Sequence, residues 1–176
     1  MANREALREL QTRLAQRMQA ARDEAPGLAW LAVECAGHGL LLPLQQAGEI
    51  FPVGAVLTVP HTQPWFAGVA NLRGSLYGVV DLAAFLGLRS APAERDSHHE
   101  QARVLALAPT LGVNCALLVD RMAGLRNEQQ LTRQAAPPGA RPAFAAATWH
   151  DNAGREWQEL ELAGLAGHPH FLAIPA

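Results

Sequence analysis

The chain of 176 residues is 49% hydrophobic and 17% charged, with a net charge of −2; this excludes a disordered chain and offers no basic footprint for nucleic acid. Its length allows one domain or two small halves that bury roughly 70% of the unfolded surface. The fourteen Lys-plus-Arg side chains are all arginine, so a P-loop lysine, a Schiff-base lysine and a Ser-x-x-Lys nucleophile are excluded outright.

Leu7, Leu10, Leu14 and Met18 recur at three- and four-residue steps among Arg4, Glu5, Arg8, Glu9, Arg13 and Arg17. This predicts an amphipathic helix ended by Pro26-Gly27, whose apolar stripe either packs on its own domain or docks a partner. Residues 1–25 are therefore read as a helical extension and 26–176 as the main domain. The N-terminus is charged from its fourth residue, with no signal-peptide core, and no run has the character of a membrane helix. A cytoplasmic protein without membrane insertion is expected.

From residue 28 onward short strands alternate with turns. LAWLAVE and LLLPL flank Gly37-His38-Gly39 and suggest a hairpin; AVLTV, WFAGVANL, LYGVVDL, ARVLALA and VNCALLVD follow. FAAATW and EWQELEL flank HDNAG, a turn-rich pentapeptide suited to a second hairpin. About ten strands at this spacing predict an all-β sandwich or small barrels. Asp81 is placed to cap a short helix, LAAFLG, that Gly87 closes. Residues 88–101 and the Pro-rich 135–143 read as loops.

Little in the chain suggests catalysis. Its serines are Ser75, Ser90 and Ser97, and none sits in a Gly-x-Ser-x-Gly elbow. Cys35 and Cys115 lie 80 residues apart, which supports two buried thiols and neither a disulfide framework nor a zinc knuckle. His98-His99-Glu100 reads as a solvated loop, because adjacent histidines point apart. His168 and His170 straddle Pro169 without a nearby carboxylate, and His150-Asp151 sits in a turn. No catalytic residue, metal site or cofactor is expected.

The segment GVANLRGSLYGVVDLAAFLG, residues 68–87, reads like buried sheet yet carries Arg73 between Leu72 and Gly74. A guanidinium is almost never fully buried without a partner. Gly68 and Gly74 bracket a strand end on which Asn71 and Arg73 share one face, and Gly74-Ser75 turns the chain. A hairpin tip there keeps Arg73 in water beside exposed backbone. Either it is an idle surface residue or it is presented to a partner, since arginine is favoured at interface hot spots.

The same segment closely resembles the signature hairpin of the CheW family, Gly-Val-x-Asn-Leu-Arg-Gly followed by an apolar strand and Val-Asp-Leu. Glu49-Ile50 resembles the family's Glu-Ile pair, Pro64 precedes the hairpin as in other members, and ALLVDRMAGL (116–125) is similar to its second landmark. The likeness spans about residues 28–135. It implies two five-stranded SH3-like barrels over a shared core. It also implies a non-catalytic adaptor that joins the cytoplasmic tip of a methyl-accepting chemoreceptor to the regulatory domain of a CheA-type histidine kinase, recruited to receptor arrays at the inner membrane.

By motif match, Glu49, Gly68, Asn71, Arg73 and Gly74 would lie at or near the receptor groove. Ala47 stands where many members carry an apolar receptor-contacting residue, and Asn114-Cys115 replaces a common valine-glycine pattern. Within the family, the leading helix, the hairpin segment, Trp149 and Trp157 are most similar to members serving chemosensory systems that control type IV pili. An adaptor of a flagellar array is the nearer alternative; a small β-barrel metal-dependent enzyme using the histidines is the more distant one.

Overall fold

The computed structural model describes residues 27–89, 101–135 and 141–176. The expected helix over residues 1–25 lies outside these residues, as do His98, His99 and Glu100. In chain order the strands are β1 (Ala29–Cys35), β2 (His38–Pro43), β3 (Ala47–Pro52), β4 (Phe66–Leu72), β5 (Ser75–Asp81), β6 (Arg103–Leu107), β7 (Cys115–Val119), β8 (Arg121–Asn127), β9 (Leu131–Gln134), β10 (Ala145–Asp151) and β11 (Glu156–Leu160). Short helices α1 (Leu82–Phe85), α2 (Leu162–Ala166) and α3 (Pro169–Leu172) complete the described fold.

The strands form a six-stranded sheet, β8-β1-β2-β11-β10-β9, and a five-stranded sheet, β3-β6-β7-β5-β4. The chain starts the first sheet, builds the whole of the second, and returns to finish the first. The edges of the six-stranded sheet, β8 and β9, are joined by a single 3₁₀ turn, Glu128–Gln130. Laid flat, six strands would hold those edges about 24 Å apart. One such turn can join them only because the sheet curls round on itself into a barrel. Asn127 fixes the joint: its Oδ1 accepts from the Gln129 N–H at 3.1 Å, while its own N–H donates to Gln130 Oε1 at 3.2 Å.

Side-chain alternation explains why the strands read as near-continuous apolar runs. Trp30, Ala32 and Leu41 point into the first barrel with Trp149 and Trp157. Their neighbours Leu31, Val33, Leu40 and Leu42 face the other way, onto a core shared with Val80, Leu105, Leu117 and Val119 of the second sheet. Val79, Val104, Ala116 and Leu118 line the inside of that second sheet with Phe51 and Tyr77. Strands buried on both faces lose the polar half of a period-2 pattern. Each fully buried Leu or Val contributes on the order of 1.5–3 kcal/mol, so the shared core ties the two barrels into one unit.

Most of the local expectations are met. Asp81 caps α1, accepting from the Ala84 N–H at 3.2 Å, and Gly87 closes it with φ of +71°. HDNAG turns the β10–β11 hairpin, with Asp151 Oδ1 accepting from the N–H groups of Ala153 and Arg155. Both cysteines are free and buried.

AVLTV is a correction. Residues 55–59 form no strand beyond one isolated bridge from Leu57 to Val69. Leu57 and Val59 are 69% and 39% exposed, so this apolar run lies mostly on the surface. The place beside β6 belongs instead to β3, AGEIFP, which pairs Ala47 with Leu107 and Ile50 with Leu105.

Candidate functional site

The β4–β5 hairpin, like the β1–β2 hairpin at Ala36 and Gly37, turns on two residues of positive φ. Its two turn residues, Arg73 and Gly74, both have positive φ, +50° and +86°. This is the pattern whose twist suits a two-residue hairpin, and it is strained for any side chain but small at the glycine. Asn71 Oδ1 accepts from the Gly74 N–H at 2.8 Å and holds the turn shut. The Asn71 carboxamide is therefore committed to the turn, while Arg73 is carried out at its apex with 76% of its side chain exposed.

Gly68 shapes the base of this hairpin. Its φ is +135°, and a Cβ there would overlap the Leu57 carbonyl oxygen. Leu57 and Val69 exchange both backbone hydrogen bonds at 2.8 Å, and the β4–β5 register shifts between Phe66 and Gly68. Glycine lets the 53–62 segment lie directly against β4.

Glu49 reaches the tip from the opposite edge of the same sheet. The β3–β6 register breaks between Ala47 and Ile50, and a Cβ on Gly48 would press on the Ala106 carbonyl oxygen at 2.8 Å. This irregularity lifts Glu49 to the surface. There its Oε1 lies 2.7 Å from Arg73 Nη2, and the Arg73 guanidinium sits 6.0 Å from the centre of the Phe51 ring. The arginine is exposed, ion-paired and poised over an aromatic face.

Between these two edges runs a groove bordered by Ile50, Phe51, Leu72, Arg73 and Tyr77. Leu76, beside the tip, is 62% exposed. Ala47 stands on the groove wall with only 5% of its surface accessible, because its methyl joins the core between the barrels. The apolar contact surface here comes from Phe51, Tyr77 and Leu76.

Of the sequence-predicted residues, Glu49, Asn71, Arg73 and Gly74 come together at the tip, and Gly68 sits at the foot of the same strand. His168 caps α3 and packs on Phe144, with ring centroids 5.1 Å apart. His170 stacks on Phe85 at 5.4 Å, and His150 lies 3.8 Å from Glu156. Among the described residues, no group of three or more His, Cys, Asp or Glu could hold a metal ion. Burial pushes the Cys115 thiol up to about 12 and raises Cys35 further still.

Sequence reasoning missed two ionic clusters. Arg89, with 6% of its side chain exposed, donates through Nη2 to both Asp120 oxygens at 2.6 Å and lies 3.3 Å from Asp81 Oδ2. Asp120 also accepts from the Ala36 N–H at 2.7 Å, so this cluster joins the ends of β5 and β7 to the β1–β2 turn. Elsewhere, Glu34 is held by Arg121 and Arg155, and the Arg155 guanidinium covers the Trp157 ring at 4.6 Å. Burial raises the Glu34 carboxyl, but the two guanidiniums outweigh it and hold the group below its ordinary range. These partners lie up to 121 positions apart, beyond any local spacing signal.

Comparison with known proteins points one way. A family model described as "CheW-like domain" matches residues 29–169. The chain is 27% identical over 165 residues to the Protein PilI of Pseudomonas aeruginosa, covering 92% of this chain and 88% of that one. The crystal structure of the scaffolding protein TtCheW from Thermoanaerobacter tengcongensis superposes with a TM-score of 0.62 at 17% identity, over 76% of this chain and 88% of that chain.

Proposed function

The chain belongs to the CheW-like domain family, and on that premise we propose that it is a non-catalytic adaptor coupling a methyl-accepting chemoreceptor to a CheA-type histidine kinase. Its pathway is the chemosensory control of type IV pilus twitching motility, a reading supported by the 27% identity to PilI over 92% of the chain. It works at the cytoplasmic face, recruited to receptor arrays at the inner membrane. No described helix is long and apolar enough to cross a membrane.

The observation that carries this reading is the ion-paired tip, Arg73 with Glu49, standing over an apolar groove. A receptor tip is a helical hairpin, and a groove seats a helix by burying its apolar anchors. Arg73 and Glu49 then exchange their mutual contact for charge-assisted bonds to the receptor, which set register more than affinity. Asn71, Gly74 and Gly68 hold the tip in place. The kinase engages through its own CheW-like regulatory domain on other faces of the barrels. A signal passes because the two receptor states contact the groove unequally; equal contact would shift nothing.

The test is a paired titration of the full chain with a receptor cytoplasmic tip fragment and with the kinase regulatory domain. Wild type binds both. Arg73→Glu keeps kinase binding and loses roughly 30-fold or more in receptor affinity, as expected when a desolvated partner is left unpaired. Wild-type failure to bind either fragment, or undiminished receptor binding by the variant, overturns the reading.

A further inference from the structure

A second cleft, of about 460 Å³, shares no lining residue with the groove at Arg73. Its apolar walls come from both barrels: Phe85 and Leu88 follow β5, Leu160 ends β11, and Phe144 precedes β10. That volume suits a small organic ligand, for which typical sites run from roughly 300 to 1,000 Å³. Its polar side chains are His38, Arg141, Glu156, Gln158, His168 and His170.

Arg141 lines the cleft, and its one hydrogen bond among the described residues runs from Nη1 to Thr148 Oγ at a long 3.5 Å. The rest of its donor fork makes no hydrogen bond to the described residues. His168 lines the same cleft, and its Nδ1 accepts from the His170 N–H at 3.3 Å. A neutral imidazole that accepts at Nδ1 carries its proton on Nε2, so a second donor is available. The Phe144 edge packs against this ring and fixes its attitude. The single acid on the rim, Glu156, already faces His150.

We propose that this cleft binds a small organic acid with an aromatic or branched apolar body. The body lies on Phe85, Leu88, Phe144 and Leu160, and the carboxylate is held by Arg141 and His168. A permanently charged planar fork at the rim of an apolar cleft matches a carboxylate in both charge and geometry. A ligand seated there touches both barrels at once, so it stabilises the folded chain by mass action.

The probe is 3-phenylpropanoate, with 3-phenylpropanamide as its uncharged twin, titrated into the full chain and followed by protein NMR. The acid produces saturable shifts at Phe85, Leu88, Phe144 and Leu160 and binds at least about 10-fold tighter than the amide, the margin of a charge-assisted bond. Arg141→Met removes the preference for the acid and leaves the weak amide binding. Leu88→Trp fills the cleft and removes both, with its melting curve as the check on folding. No saturable shift up to the solubility limit of the acid, equal binding of acid and amide to wild type, a preference retained in Arg141→Met, or shifts centred on the Arg73 groove would each overturn the proposal.

Discussion

Arg73 and Glu49 meet at 2.7 Å across the two edges of the five-stranded sheet, with 76% and 44% of their side chains exposed. An exposed pair of this kind is worth about 0.2–1 kcal/mol, too little to explain why a positive-φ backbone and a broken register converge to form it. Charge exchange at the pair separates function from stability. Arg73→Glu and Glu49→Arg each leave the melting temperature within a few degrees of wild type. The exchanged double variant, which re-forms the pair with its polarity reversed, regains that small loss but not receptor binding. Recovery of binding by the double variant would mean that only the internal pair matters.

Gly68→Ala is expected to be far more damaging than its single added methyl suggests. The methyl meets the Leu57 carbonyl oxygen, and φ of +135° is closed to alanine. The segment must lift off β4, breaking both Leu57–Val69 hydrogen bonds. A loss of about 2–4 kcal/mol is expected, read as a lower denaturant midpoint and faster hydrogen exchange at the Leu57 and Val69 amides. Wild-type exchange at those two amides would refute it.

Much of the fold is legible in the sequence because both faces of its inner strands are apolar. ALLVD and LYGVVDL read as strands whichever face is counted, and their flanking glycines and aspartates mark the turns. AVLTV carries the same composition but lies between Pro52 and Pro60 on a surface segment, where only Leu57 bridges to β4. AGEIFP hides because Gly48 and Glu49 interrupt its apolar period at the register break. The tip residues are legible by motif, but their pairing is not: nothing local connects Glu49 to a turn 24 residues later that curls onto it. Arg89 stands in a polar loop sequence and looks solvated; its partners Asp81, at the end of β5, and Asp120, just after β7, bury it.

Acid should weaken the first barrel through Glu34. Its folded carboxyl is held below the ordinary range by Arg121 and Arg155, so its stabilising contribution is complete above the unfolded pKa of about 4.3. That contribution is lost as pH falls through the lower, folded value. In Glu34→Gln the contribution is absent at every pH. Denaturation from pH 7 down to pH 3 should show the largest gap between wild type and variant near neutrality, closing on acidification. A gap that widens in acid would contradict the assignment.

The Arg89 cluster supports the sharpest stability prediction. Among the described residues, Arg89 lies against both Asp81, which is 1% exposed, and Asp120. Arg89→Met removes the guanidinium that bridges Asp81 and Asp120, and breaking a buried ion pair costs about 3–5 kcal/mol. For a chain of this length that lowers the melting temperature by roughly 10 °C or more. Adding Asp120→Asn removes the carboxylate that Arg89 contacts at 2.6 Å while keeping an acceptor for the Ala36 N–H. The double variant should therefore be more stable than Arg89→Met alone, although Asp120→Asn by itself is destabilising. Such a reversal of sign is the mark of direct coupling, and a double-mutant cycle by chemical denaturation measures it. Strict additivity would mean that Arg89 acts by packing its alkyl chain, not through its charge.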